Sequence, residues 1–237
     1  MKNIEWCDIT INSVVGCPRG CSYCYAKKIN DRFHFVEDFS KPKTFLERLE
    51  QINKIKNKKI FMNSMSDIAY WDDYTIDTVV FYMKANPSNE YYFLTKKLNA
   101  LQNVSRRPYP NTNFKTFNNF NVFVGITITT QEDYMNYVRS MGGVGFKIIN
   151  IEPILEPIDL FDFYCKEPIT QTKTMIKYQK EVFEEKMKGV KKIILGAETG
   201  NRKEKIIPKK EWIENIIKFC KEYNIELFLK ENIKKYL

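Results

Sequence analysis

Residues 16–25 read Gly-Cys-Pro-Arg-Gly-Cys-Ser-Tyr-Cys-Tyr, which sets Cys17, Cys21 and Cys24 in the spacing C-x3-C-x2-C. Three thiolates on one short loop converge readily on a single inorganic centre, because thiolate is a soft ligand that suits iron–sulfur clusters and zinc. A fully ligated four-iron cluster takes four protein ligands. With only three here, the fourth iron would stay open, and an open coordination site is where a metal centre does chemistry. Gly16, Pro18 and Gly20 supply the tight turns and close backbone approach such a centre needs, and Tyr23 places an aromatic ring beside the last thiol. A zinc knuckle completed by His34 is the competing reading, but His34 follows Cys24 by ten residues, outside the usual finger spacing. A disulfide framework fits less well: the chain is too long to need staples and no signal peptide opens it.

The elements that must position this loop belong to a chain of 237 residues, a length that suits one α/β domain over 1–237. That is enough to bury a core without covalent help. Its hydrophobic fraction of 43% is ordinary, and no apolar run reaches the roughly 18–20 residues of a membrane span. The expectation is a soluble, cytoplasmic protein with no membrane partner. The net charge of +9 has two readings: attraction to phosphate or nucleic acid, or the lysine, asparagine and isoleucine bias of an A/T-rich genome.

Strand and helix patterns alternate nearly throughout, which predicts a mainly parallel sheet. Strands are expected over 8–15, 59–63, Glu90–Thr95, 121–128, 146–151, 191–196 and 225–229. Helices are expected over Tyr25–Phe33, 44–53, Asp73–Ala85, 131–141, 175–187 and 209–223, the one ending at 141 being broken by Gly142-Gly143. Residues 105–120, rich in asparagine with Pro108 and Pro110, read as an irregular loop. The count predicts a partial, open TIM-type barrel, about (β/α)6 with a short extra C-terminal strand. In a barrel the carboxyl ends of all strands meet on one face, so their polar residues would ring the cysteine loop.

Motifs at successive strand ends extend the pattern. They are Ile4-Glu5-Trp6, Gly16 with the cysteine loop, Tyr25-Ala26, Asn63-Ser64-Met65-Ser66-Asp67, Leu94-Thr95-Lys96 and Val124-Gly125 before Thr127. Further along come Glu152-Pro153 before Pro157-Ile158, then Gly196 with Glu198, Gly200 and Arg202, Trp212, and Phe228 with Lys230. The cysteine loop, with an aromatic residue before its last cysteine, resembles that of the radical S-adenosylmethionine (SAM) superfamily. Along most of its length the chain resembles a phage-associated, uncharacterised family of radical SAM proteins.

The resemblance implies a [4Fe-4S] cluster on Cys17, Cys21 and Cys24, and SAM chelated to the open iron through its amino and carboxylate groups. Reductive cleavage of SAM to a 5′-deoxyadenosyl radical follows, with electrons from an external low-potential donor such as flavodoxin or ferredoxin. It places Tyr23 along the adenine through its backbone, Asn63, Ser64 and Met65 at the methionine amino group, Thr127 at the ribose and Glu152 among the cofactor contacts. Asp67, Lys96, Glu198, Arg202 and Lys230 are left for substrate, the SAM carboxylate or one another. Three departures stand out: Cys7 where the family has threonine, and so not a ligand; Thr129 at a glutamate position; and Thr199 for serine.

Each of these residues also has a plainer reading. The charged ones make ion pairs on a barrel rim, Ser64 and Thr127 make turns or caps, and Glu152-Pro153 makes a rigid strand exit. Cys165 and Cys220 are candidate hydrogen-atom donors, with Cys220 alternatively a small buried hydrophobe. Two functions compete: a radical SAM enzyme acting on nucleic acid, a nucleotide, a peptide or a metabolite, and a non-catalytic zinc or iron–sulfur module that binds nucleic acid through its lysines.

Overall fold

Short runs of isoleucine, valine, phenylalanine and tyrosine form the strands, and in several of them every residue is buried, as expected when helices cover both faces of a parallel sheet. The computed structural model describes residues 4–98, 121–139, 146–162 and 173–237. The chain groups into two compact units, Met1–Gly125 and Ile126–Leu237.

The first unit contains β1 (Ile9–Thr10), β2 (Val14–Val15), α1 (Tyr25–Phe33), β3 (Lys43–Thr44), a 3-10 helix (Leu46–Lys54), β4 (Lys59–Phe61), α2 (Asp73–Ala85) and β5 (Glu90–Thr95). Strand β1 pairs in parallel with β4, Ile9 opposite Ile60, and β4 with β5, Ile60 opposite Tyr91. The Tyr91 N–H then donates to Asn121 O (2.8 Å) at the start of β6 (Val122–Thr127), which runs across the division. Its core includes Leu49, Ile52, Ile60, Met62, Tyr91 and Phe93.

The second unit takes the end of β6, then α3 (Gln131–Arg139), β7 (Ile148–Ile151), α4 (Lys173–Met187), β8 (Lys192–Leu195), α5 (Lys210–Glu222), β9 (Glu226–Leu229) and α6 (Glu231–Lys234). The Ile128 N–H donates to Asn150 O (3.0 Å), and β7, β8 and β9 pair in parallel, Ile149 opposite Ile193 and Ile193 opposite Leu227. Ile151, Ile194, Ile213, Ile216 and Phe219 are buried in its core. In both units sheet order follows chain order. That is the winding of a barrel wall, whereas a doubly wound sheet reverses at a switch point. The fold is therefore α/β with parallel strands, of open-barrel type.

Several expectations are corrected. The first strand, expected over 8–15, splits in two: β1 joins the parallel sheet while β2 pairs antiparallel with β3. The break falls where the Asn12 carbonyl accepts from Arg48 (2.9 Å) and its side chain turns to another segment. The segment 44–53 forms a strand end and then a 3-10 helix, because Leu46, Leu49 and Ile52 recur every three residues and eclipse on one face at three residues per turn. Helix α2 buries Ile76, Val79, Val80 and Met83 as its periodicity predicts, and Asp72 caps it by accepting from the Thr75 N–H (2.7 Å). The loop expected over 105–120 and the break at Gly142-Gly143 lie outside the described residues.

Candidate functional site

The cysteine loop is pinned from both sides. The Gly16 N–H donates to Met65 O (3.0 Å) and the Cys17 N–H to Phe39 O (2.7 Å). Gly16 has φ 115°, and a Cβ there would stand 2.9 Å from the Pro42 Cα, so only glycine passes between these segments. Behind the loop, Val15, Ala26, Val36, Phe39 and Met65 form an apolar wall against which Cys17 and Cys24 pack. Cys24 is also the N-cap of α1, its Sγ accepting from the Lys27 N–H (3.4 Å). The Cys24 thiol therefore stands at a helix start, where backbone N–H groups and the helix dipole favour negative charge.

All three thiols are free and part-buried. Burial pushes the Cys17 thiol up to about 11; the Arg19 N–H draws it down, and the charges of Asp67, Cys21 and Cys24 push it further up. Burial likewise raises Cys24, against the pull of the Lys27 N–H and the Lys96 charge. Among the described residues no three His, Cys, Asp or Glu side chains are gathered closely enough to hold a metal ion. The loop places three thiols within reach of one another's charge without fixing them in one coordination sphere.

These residues nevertheless fit a cluster held by three thiolates. Burial favours the neutral thiol at Cys17 and Cys24 until a cation compensates the thiolate, and backbone N–H groups already point at both sulfurs, as hydrogen bonds to cluster-ligating sulfurs do. They do not fit a knuckle with His34. The nine residues of α1 stand between, putting this histidine at the helix C-cap about 15 Å from Cys24 at 1.5 Å per residue. His34 is the only histidine in the chain.

Around the loop, the first unit's strand ends are tied into a hydrogen-bonded frame. Asn12 Oδ1 accepts from Ser64 Oγ and the Met65 N–H (both 3.0 Å), and Tyr25 donates its hydroxyl to Ser64 O (2.6 Å). Asn63 spans to β5, Nδ2 donating to Leu94 O (2.6 Å) and Oδ1 accepting from the Leu94 N–H (3.0 Å). Asp67 accepts from Thr95 Oγ1 (2.7 Å), the Ala69 N–H (3.0 Å) and the Lys96 N–H (2.9 Å). The Lys96 ammonium lies 5.1 Å from the centre of the Tyr23 ring.

In the second unit the strand-end groups pair by charge. Lys230, after β9, is salt-bridged to Glu152, after β7. Gly196, after β8, lies between them: a Cβ there would be 3.0 Å from both side chains. Glu198 is buried and takes Arg202 in a fork, Nε at 2.8 Å and Nη2 at 2.9 Å. Thr127 Oγ1 accepts from Asn150 Nδ2 (3.2 Å), and Thr129 donates its hydroxyl to Asp133 (2.8 Å).

The structure thus groups Cys17, Cys21, Tyr23, Cys24, Ser64, Met65, Asp67 and Lys96 within the first unit, and pairs Glu152 with Lys230 and Glu198 with Arg202 in the second. Cys7 stands apart, its thiol directed at Ile4 O (3.6 Å). Cys220 is buried on α5, and Cys165 lies outside the described residues. Sequence reasoning missed Asn12, Asn150 and Asn232, the last of which clamps Ala197 with its amide through the Ala197 N–H (3.2 Å) and carbonyl (2.8 Å). Asn12 falls inside the strand expected over 8–15, and only the end of β1 at Thr10 turns it into a strand-end residue.

The family model described as "Protein of unknown function (DUF5131)" matches residues 1–234. No curated protein sequence matches. Among solved structures, the chain is similar to SuiB of Streptococcus suis bound to S-adenosylmethionine, at 9% identity and a TM-score of 0.43, covering 93% of this chain and 45% of that one. A second SuiB structure gives 10% identity and a TM-score of 0.41, covering 94% and 48%. The chain spans less than half the length of these neighbours, and scores below 0.5 carry no functional weight.

Proposed function

The chain belongs to the DUF5131 family, and we propose that it is a radical SAM enzyme whose [4Fe-4S] cluster is held by Cys17, Cys21 and Cys24. The observation that carries this reading is the loop itself: three free thiols, Cys17 and Cys24 packed on an apolar wall and Cys24 at a helix start, with the sole histidine a helix length away. A cluster held by Cys17, Cys21 and Cys24 and reduced by an external donor would supply the electron for reductive cleavage of a bound SAM, and with it the means of removing hydrogen from a substrate.

The protein's part is placement and exclusion of water. Val15, Ala26, Val36, Phe39 and Met65 keep water from the back of the loop. Asn12 fixes Ser64 and Met65, the segment assigned to the methionine amino group. Asn63 ties that segment to β5 and adds its rigidity. Tyr23 is assigned to the adenine, Thr127, oriented by Asn150, to the ribose, and Glu152 to the cofactor. Asp67, Lys96, Glu198, Arg202 and Lys230 are assigned to the substrate side, and an external flavodoxin or ferredoxin to electron supply.

The test is anaerobic reconstitution with iron and sulfide, followed by reduction with dithionite in the presence of SAM. Wild-type protein should turn brown and release 5′-deoxyadenosine, and Cys21→Ala should do neither. A protein that stays colourless and keeps one tight zinc would end the proposal.

A further inference from the structure

Helix α1 buries one side and leaves a chemically distinctive stripe on the other. Ala26 and Asn30 are buried, whereas Tyr25, Lys28, Arg32 and Phe33 are exposed and Ile29 half-buried. Positions 25, 28, 29, 32 and 33 share one face at helical spacing, and Lys28, Ile29, Arg32 and Phe33 line an open groove along it. The far end of the stripe is held in place. Buried Asn30 clamps the returning chain, Nδ2 donating to Val36 O (2.9 Å) and Oδ1 accepting from the Val36 N–H (3.0 Å). Phe35 therefore stands beside Phe33, rings stacked at 5.9 Å and 28°, both rings exposed. The Arg32 guanidinium lies 5.1 Å from the Phe33 ring centre. Lys27 is paired with Asp31 (2.8 Å), but no carboxylate pairs with Lys28 or Arg32 among the described residues.

We propose that this stripe is a docking site for single-stranded nucleic acid, with bases stacked on Phe33 and Phe35 and backbone phosphates held by Lys28 and Arg32. Exposed aromatic side chains beside cations that no carboxylate pairs are the combination that sequence-tolerant single-strand binders use. A duplex keeps its bases stacked on one another and would leave the rings unused. A membrane surface calls for a wider apolar face than two rings and an isoleucine. An acidic protein would meet the cations but gives the stacked rings no partner of their own kind. The stripe needs no cluster to work, so the proposal stands apart from the assignment of the thiols.

The test is fluorescence anisotropy of a short labelled oligothymidylate titrated with the full-length protein across a salt series. Phe33→Ala with Phe35→Ala should weaken binding at least about thirtyfold and leave the salt slope unchanged, since stacking carries no counterion release. Lys28→Ala with Arg32→Ala should lower the slope of log K on log salt by about 1.4, two phosphates at about 0.7 each. Lys56→Ala with Lys58→Ala, an equal loss of exposed charge elsewhere in the first unit, should change neither. Absence of binding, or an equal effect of the control pair, overturns the proposal. So does a result in which α1 variants bind the oligonucleotide normally but lose an acidic probe protein such as flavodoxin, which would make the stripe a protein-docking face. Iron content and SAM binding of the same variants should stay at the wild-type level, which separates failure here from failure of the cluster assignment.

Discussion

The two units hold their strand-end carboxylates by different means. In the first, Asp67 is fixed by neutral donors, the Thr95 hydroxyl and the N–H groups of Ala69 and Lys96, and its charge still reaches the Cys17 thiol. In the second, Glu152 and Glu198 are each neutralised by a cation, Lys230 and Arg202. Neutral donors position an anion without cancelling its field, whereas an ion pair is electrostatically self-contained and fails when either half is removed. The first arrangement suits a frame around reactive groups. The second ties neighbouring strand ends together.

The largest effect that sharpens this contrast is expected from Lys230→Met, which leaves a mostly buried Glu152 without its cation and should cost about 3 kcal/mol in urea unfolding at neutral pH. Adding Glu152→Met should restore most of that loss; equal losses in single and double variants would show the pair is not self-contained. Gly196→Ala should cost about 2 kcal/mol by pressing a methyl against the same two side chains, read as a drop in the urea midpoint. Thr95→Val removes one of three donors from Asp67, and about 1 kcal/mol is expected, because two backbone N–H groups remain. A cost as large as that of Lys230→Met would erase the distinction.

The effect that is smallest at neutral pH is one that grows only under alkaline conditions, and it lies away from both sets of strand ends. Burial pushes the Cys220 thiol up to about 12 from an ordinary value of 9.0. The folded state then holds its proton where the unfolded chain releases it, so this contribution is complete below pH 9 and is lost as pH rises from 9 toward 12. Cys220→Ala should flatten the alkaline fall in stability measured by guanidinium unfolding; an unchanged slope would show that the thiol is not shielded.

Strands such as Ile148–Ile151 and Lys192–Leu195 were legible because a run of isoleucines covered on both faces needs no partner information to be recognised. Helix α2 was legible from its period, and the thiol loop from spacing alone. What escaped depends on distant partners. Asn12 meets Ser64 and Met65 52 and 53 residues away, and Asn232 meets Ala197 35 residues away. No local pattern encodes such pairings. The split of the first strand escaped for the same reason, since Val14–Val15 is a strand only because Lys43–Thr44 comes to meet it. The side chains at Asp67 and Glu198 looked alike in sequence, and only their surroundings distinguish a framed anion from a paired one.

The assignment of Cys17, Cys21 and Cys24 as ligands to a cluster with one open iron is tested most directly by electron paramagnetic resonance of oxygen-free, dithionite-reduced protein, recorded before and after addition of SAM. The expected result is a four-iron signal that shifts when SAM is added and vanishes in Cys24→Ala. A signal indifferent to SAM, or no iron signal at all in reconstituted wild-type protein, would contradict it.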